Sequence, residues 1–222
     1  DIDKWLQDNK DYILNSLSEL IQIKTVNLPP GGNEKPGQEY IYKKISSYIP
    51  EKDIDIFEID DIPDIRQNPF FFPTIDGVEK KYKGRPNLVA KLKGLNGRKS
   101  LAFSGHIDTM PDYGKKWTVF EDPFSGKIKD GKMYGRGSAD MKAGTLSGFL
   151  ALKCIKDLKI KLKGDVFAES VVDEENGGVN GTIAARLRNP NIDFAIVPEI
   201  TNLDVGVETF GGTDWKIKVT EK

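Results

Sequence analysis

The chain has 222 residues, 38% of them hydrophobic and 30% charged, enough apolar surface for a proper core and too much for a disordered chain. Thirty-three Lys and Arg stand against 34 Asp and Glu, a formal charge of -1, so no basic field draws nucleic acid or an anionic membrane to it. Cys154 is the single cysteine, which excludes an internal disulfide and agrees with a reducing compartment, the cytoplasm, and no apolar run approaches the length of a membrane span.

Residues 3–23 set Trp5, Ile13, Leu17, Leu20 and Ile21 at spacings of three and four among charges, which predicts an amphipathic helix. Leu28-Pro-Pro-Gly-Gly interrupts it, and residues 36–49 resume the spacing with Tyr40, Ile41, Ile45 and Ile49 before Pro50. Ile54, Ile56 and Phe57 predict a strand. Over residues 60–86 Pro63, Pro69, Pro73, Gly77 and Gly84 surround Phe70-Phe71-Phe72 and predict a long loop, whose aromatics pack on one another or line a substrate entrance or partner surface. Strands follow at 87–92 and 100–105, a helix at 141–158, a strand at 166–172, a short helix at 179–188 and a buried strand at 193–197. Cys154 falls in the apolar stripe of the 141–158 helix and reads as a core thiol. This alternation predicts an α/β fold, a central mixed, largely parallel sheet with helices on both faces. From Val205 to Phe210 and at Trp215-Lys-Ile-Lys-Val the period changes to two, the sign of a sheet with one wet face, so a new unit begins near Gly211-Gly212.

Chemistry-bearing residues gather where the predicted strands end. His106-Ile-Asp108 follows the 100–105 strand, so the imidazole emerges at a carboxyl edge, where open α/β sheets bind ligands. Asp108 can accept the other ring N–H and fix the tautomer. Asp140 leads from a glycine-rich connector into the 141–158 helix, either as that helix's N-cap or as a carboxylate bridging two metal ions. Asp173-Glu174-Glu175 closes the 166–172 strand, either as a solvated turn or with one Glu on a metal while its neighbour takes a proton from water. Glu199 repeats that position after the 193–197 strand. Arg136 and Lys142 neutralise these acids or lie at the surface. Taken together, an imidazole and several carboxylates on strand ends predict a two-metal hydrolase site.

The runs Ser104-Gly-His106-Ile-Asp108-Thr-Met-Pro, Asp130-Gly-Lys-Met-Tyr-Gly-Arg-Gly-Ser-Ala-Asp140-Met-Lys-Ala-Gly, Asp173-Glu174-Glu175 and Glu199-Ile-Thr201, with Trp117, Asp122-Pro-Phe and Arg85-Pro-Asn-Leu-Val-Ala, resemble the metallopeptidase family of acetylornithine deacetylase, succinyl-diaminopimelate desuccinylase, aminoacylase and glutamate carboxypeptidase. The resemblance implies a zinc exopeptidase-like fold with two zinc or cobalt ions. It places His106 and Glu199 on one ion, Glu175 on the other and Asp140 between them, with Asp108 orienting His106 and Glu174 as general base. It further implies a cis peptide at Asp140-Met141. Family members continue into an α+β lid domain that supplies a histidine and often dimerises, then return with a last histidine ligand. His106 is the only histidine here, so the resemblance makes residues 1–205 an incomplete catalytic domain and 206–222 the crossing into the lid. The implied reaction is deacylation of an N-acyl amino acid; the alternatives are a dipeptidase or aminopeptidase of the same family, or a noncatalytic metal-binding fragment.

Overall fold

The computed structural model describes residues 2–95 and 97–207. The second half of the predicted period-two tail, residues 208–222, lies outside them, and Val205–Val207 form no strand. Five strands build the central sheet: β1 (Ile54–Glu58), β2 (Pro86–Leu92), β3 (Arg98–His106), β4 (Gly164–Val171) and β5 (Phe194–Ile196), in the spatial order β5-β3-β4-β2-β1. β3 pairs in parallel with both β4 and β5, while β2 runs antiparallel to β4 and to β1. Four strands therefore share one direction and β2 opposes them.

Five helices accompany the sheet: α1 (Ile2–Asp8), α2 (Lys10–Gln22), α3 (Lys35–Ile45), α4 (Ala143–Asp157) and α5 (Asn180–Arg188). Successive strand residues point to opposite faces, and Ala168 and Glu169 show which helix lies on which. A Cβ at Gly148 of α4 would lie 2.7 Å from the Phe103 Cβ and in contact, at 3.7 Å, with that of Ala168, whereas Glu169 reaches Arg186 of α5. Helices thus cover both faces, as the alternating pattern predicts. The core joins Leu20, Ile41 and Ile45 of α2 and α3 to Leu88, Ala102, Phe149, Leu152 and Ala168, and Cys154 is buried within α4. Among the described residues no helix is long and apolar enough to cross a membrane.

Three expectations change. The 3–23 helix is two helices that part at Asn9 (φ -106°, ψ 10°), whose side-chain amide donates to the Trp5 carbonyl at 2.8 Å and competes with the helical ladder. The strand at 193–197 is not buried: Phe194 is 56% and Ile196 48% exposed, because among the described residues β5 is an edge strand paired to β3 alone. Lys142 is neither at the surface nor among the acids. It is fully buried, and its ammonium donates to the carbonyls of Leu20 and Ile23 at 3.1 and 2.6 Å, capping the end of α2 where the helix dipole is negative. The 60–86 loop does contain its own aromatic packing, with Phe71 buried edge-on against Tyr82, while Phe70 and Phe72 remain exposed.

The start of α4 is pressed onto the end of β3. Thr145 Oγ1 donates to the His106 carbonyl at 2.6 Å, and a Cβ at Gly105 would lie 2.5 Å from that same oxygen. Gly105→Ala is therefore expected to lower stability by about 1–3 kcal/mol in a denaturant titration. An unchanged midpoint would contradict the close approach.

Candidate metal centre

Parallel strands that leave the sheet together deliver their next residues to one edge. Val171 of β4 stands opposite His106 of β3, and Ile196 of β5 opposite Phe103. Counting forward three residues from Ile196 brings Glu199 level with His106, and Glu174 and Glu175 follow Val171 by three and four residues. Asp140, Glu174 and Glu199 all approach the one imidazole. His106 Nε2 lies 3.1 Å from Asp140 Oδ1, 3.5 Å from Glu199 Oε1 and 3.6 Å from Glu174 Oε2. Ligand atoms of His106, Asp140 and Glu175 fall within 4.8 Å of one another.

His106 is buried, and its Nδ1 is 2.9 Å from the backbone carbonyl of Asp108. A carbonyl only accepts, so Nδ1 carries a proton; Nε2, facing the carboxylates, then either carries a second proton that it donates to Asp140 or, in the neutral ring, aims a lone pair at them. Lone pair and carboxylate oxygens repel unless a cation or a proton lies between them. A single proton satisfies one of the three oxygens; a divalent ion satisfies several at once. The donor set therefore fits divalent metal.

Asp108 differs from the expectation in detail. Its carboxylate Oδ1 stands 3.6 Å from His106 Nδ1, beyond a hydrogen bond, and is a buried oxygen without a partner. The ring is held by the Asp108 carbonyl instead. Its other oxygen, Oδ2, accepts the backbone N–H groups of both Glu174 and Glu175 at 3.0 and 3.1 Å and the Asn27 amide at 2.8 Å. Asp108 thus ties the histidine to the two glutamates.

Asp140 is not an N-cap. It sits in an irregular turn, Ser138–Lys142, with extended backbone (φ -111°, ψ 101°), and α4 begins after it. The Asp140-Met141 peptide is cis, as the resemblance implies. The His106 hydrogen bond holds the Asp140 carboxyl below its ordinary range, with help from the Arg136 charge. Arg136 itself lies over the Trp117 ring and donates to the Pro111 carbonyl at 3.3 Å. Burial raises Glu174 and Glu199, and it raises Glu175 to about 7 with the Asp140 charge adding to it. For His106, burial opposes the charged form, but the Asp140 hydrogen bond and the charges of Asp108, Glu174 and Glu199 outweigh it and push the ring up to about 9. Burial first, and then the crowding of negative charge around one imidazole, raise the three glutamates.

Glu175 Oε1 also accepts the Met110 N–H at 3.2 Å. Of the residues beneath the cluster, Asn27, Glu34, Lys80 and Tyr82 do not figure in the sequence reading, and Arg85 and Asp173 figure only as parts of longer motifs. Asp173 is buried rather than in a solvated turn, has a left-handed φ of 67°, and takes hydrogen bonds from Lys80 Nζ at 3.0 Å and Tyr82 OH at 2.8 Å. These partners are tens of residues away in sequence, so no local spacing betrays them.

Comparison with known proteins bears on the same residues. The family described as Peptidase family M20/M25/M40 matches residues 102–220. The N-formyl-4-amino-5-aminomethyl-2-methylpyrimidine deformylase of Bacillus subtilis is 30% identical over 219 residues, 96% of this chain and 44% of that protein. A succinyl-diaminopimelate desuccinylase of Methylobacterium radiotolerans is 38% identical over 130 residues, 56% of this chain and 32% of that protein. The chain thus spans less than half the length of these relatives. Among solved structures, human carnosine dipeptidase 1 superposes with a TM-score of 0.62 at 19% identity, over 88% of this chain and 40% of that one, a likeness of fold. The family match covers more than half of the chain and takes in His106, Asp108, Asp140, Glu174, Glu175 and Glu199, and the chain belongs to peptidase family M20/M25/M40.

Proposed function

We propose that this chain is the amino-terminal part of a metal-dependent amide hydrolase that releases an amino acid from an N-acyl amino acid. The observation that carries the reading is the convergence of three carboxylates on His106 Nε2, within 3.1–3.6 Å: Glu174 and Glu199 from just past the ends of the two strands parallel to β3, and Asp140 from the turn before α4. His106 and Glu199 would hold one zinc or cobalt ion, Glu175 the other, and Asp140 both. When bound, the ions supply Lewis acidity, polarising an amide carbonyl and lowering the pKa of a water. The Asp108 carbonyl keeps the His106 proton on Nδ1 and so leaves Nε2 free to ligate. Glu174 is half-exposed at the rim of the cluster, and burial raises its carboxyl. A carboxylate so placed takes a proton from the attacking water and returns it to the leaving amine.

The names of the relatives favour deacylation: one is a deformylase and another a desuccinylase. The acyl group is accordingly small, formyl to succinyl. The greater length of the relatives supports residues 206–222 as the crossing into a lid, with the second histidines and a homodimer contact in the rest of the enzyme. The lone, buried Cys154 supports a reducing, cytoplasmic setting.

Two outcomes test this in the full-length protein. Zinc at about 100 times its Kd is expected to stabilise the metal-free protein by roughly 2.7 kcal/mol, and Asp140→Ala is expected to abolish that gain; a melting temperature indifferent to zinc would remove the metal site. Glu174→Gln is expected to retain the ions by mass spectrometry yet lose about 10²–10⁴-fold in turnover of N-formyl, N-acetyl or N-succinyl amino acids. Normal turnover by that variant would take the base role from Glu174.

A further inference from the structure

Beneath the metal cluster runs a line of buried polar side chains that the reaction does not itself use. Arg85 is 2% exposed, and its Nε stands 2.9 and 3.1 Å from the two carboxylate oxygens of the fully buried Glu34. Its NH1 donates to the Lys81 carbonyl at 3.1 Å and its NH2 to Asn27 Oδ1 at 3.0 Å. A guanidinium only donates, so Asn27 must turn its oxygen toward Arg85 and its amide away. On that far side the amide donates to Asp108 Oδ2 at 2.8 Å. This is the oxygen that also gathers the Glu174 and Glu175 N–H groups.

We propose that Arg85 and Asn27 are positioning residues for the metal centre: Arg85 sets the orientation of the Asn27 amide, which fixes the Asp108 carboxylate, which in turn holds the backbone of Glu174 and Glu175 against His106. The inference rests on the metal-site reading above. Its warrant is the asymmetry of Asp108. Three donors meet one oxygen, while Oδ1 has no partner and lies 3.6 Å from His106 Nδ1. A carboxylate freed of the Asn27 donor can rotate toward that ring nitrogen, compete with the Asp108 carbonyl for its proton, and release the two glutamate amides together. One buried hydrogen bond therefore guards both halves of the site. The Glu34–Arg85 pair suits this task because it is closed on itself and still has an N–H to direct; a lysine at position 85 has no fixed fork with which to serve Glu34 and Asn27 at once.

The test uses the full-length protein and variants Asn27→Ala, Asn27→Asp and Arg85→Met, with Ile45→Val as a core control far from the line. Hydrogen exchange of the metal-free protein, read by mass spectrometry, is expected to speed up in residues 106–110 and 173–176 while the rest of the sheet keeps its protection. Zinc affinity by calorimetry is expected to fall about 10–100-fold, the usual consequence of losing a support behind a ligand. Ile45→Val should lower the melting temperature and leave zinc affinity alone. Asn27→Asp keeps the size of the side chain and turns an acceptor toward Asp108, so it decides the matter if a truncated variant does not fold. Zinc affinity within twofold of the unvaried protein, or faster exchange spread evenly over the chain, would overturn the proposal. Unvaried protein that binds zinc but cleaves no N-acyl amino acid would overturn the substrate reading alone; unvaried protein that binds no zinc would overturn both.

Discussion

Three neighbouring strands that run the same way must end on the same edge of their sheet, and the register of β3, β4 and β5 brings those ends into step. His106 faces Val171 across one pair and Phe103 faces Ile196 across the other. From this constraint follow the neighbourhood of His106, Glu174, Glu175 and Glu199 and the side of the sheet on which they meet. Asp140 comes from another direction, at the turn before α4, and is brought in because α4 packs tightly on β3. Gly105 marks that closeness, and Gly144 marks a second one, of α4 to the segment after β5: a Cβ there would lie 2.1 Å from the Pro198 carbonyl, next to Glu199.

Collecting carboxylates around one imidazole opposes folding. Each acid is partly removed from water and faces its neighbours' charge, so Glu174, Glu175 and Glu199 are all raised. The surrounding protein offsets only part of this. Arg136 helps Asp140, and the buried cations Lys80 and Arg85 are engaged by Asp173 and Glu34 one layer below. Lys142, two residues from Asp140, spends its ammonium on α2 rather than on the acids. The remaining negative field is what divalent metal would neutralise, and the free energy that crowding the acids costs on folding would be recovered on binding it.

Much of this was legible in the sequence because it is local. Apolar runs marked all five sheet strands, and each candidate ligand stood directly after a run or before a helix. What escaped the sequence depends on distant partners. Asn27 and Arg85 lie in loops or at a strand edge, and their meeting with Asp108 joins segments 81 and 58 residues apart. Lys142 reads as one more surface lysine until α2 is seen to end above it. The exposure of β5 likewise has no local sign, since Phe194 and Ile196 are as apolar as buried strand residues; only the edge position distinguishes them. Asp108 illustrates a subtler gap: its spacing from His106 was informative, but whether carbonyl or carboxylate holds the ring is settled by which donors the carboxylate meets elsewhere.

The central claim is that Asp140 stands between two metal ions on these strand ends. Anomalous diffraction at the zinc edge from crystals of the zinc-loaded full-length protein tests it most directly. The account predicts two peaks flanking the Asp140 carboxylate, each about 2.0–2.2 Å from one of its oxygens, with His106 and Glu199 on one and Glu175 on the other. A single peak, or zinc bound elsewhere with the cluster unoccupied, would contradict it.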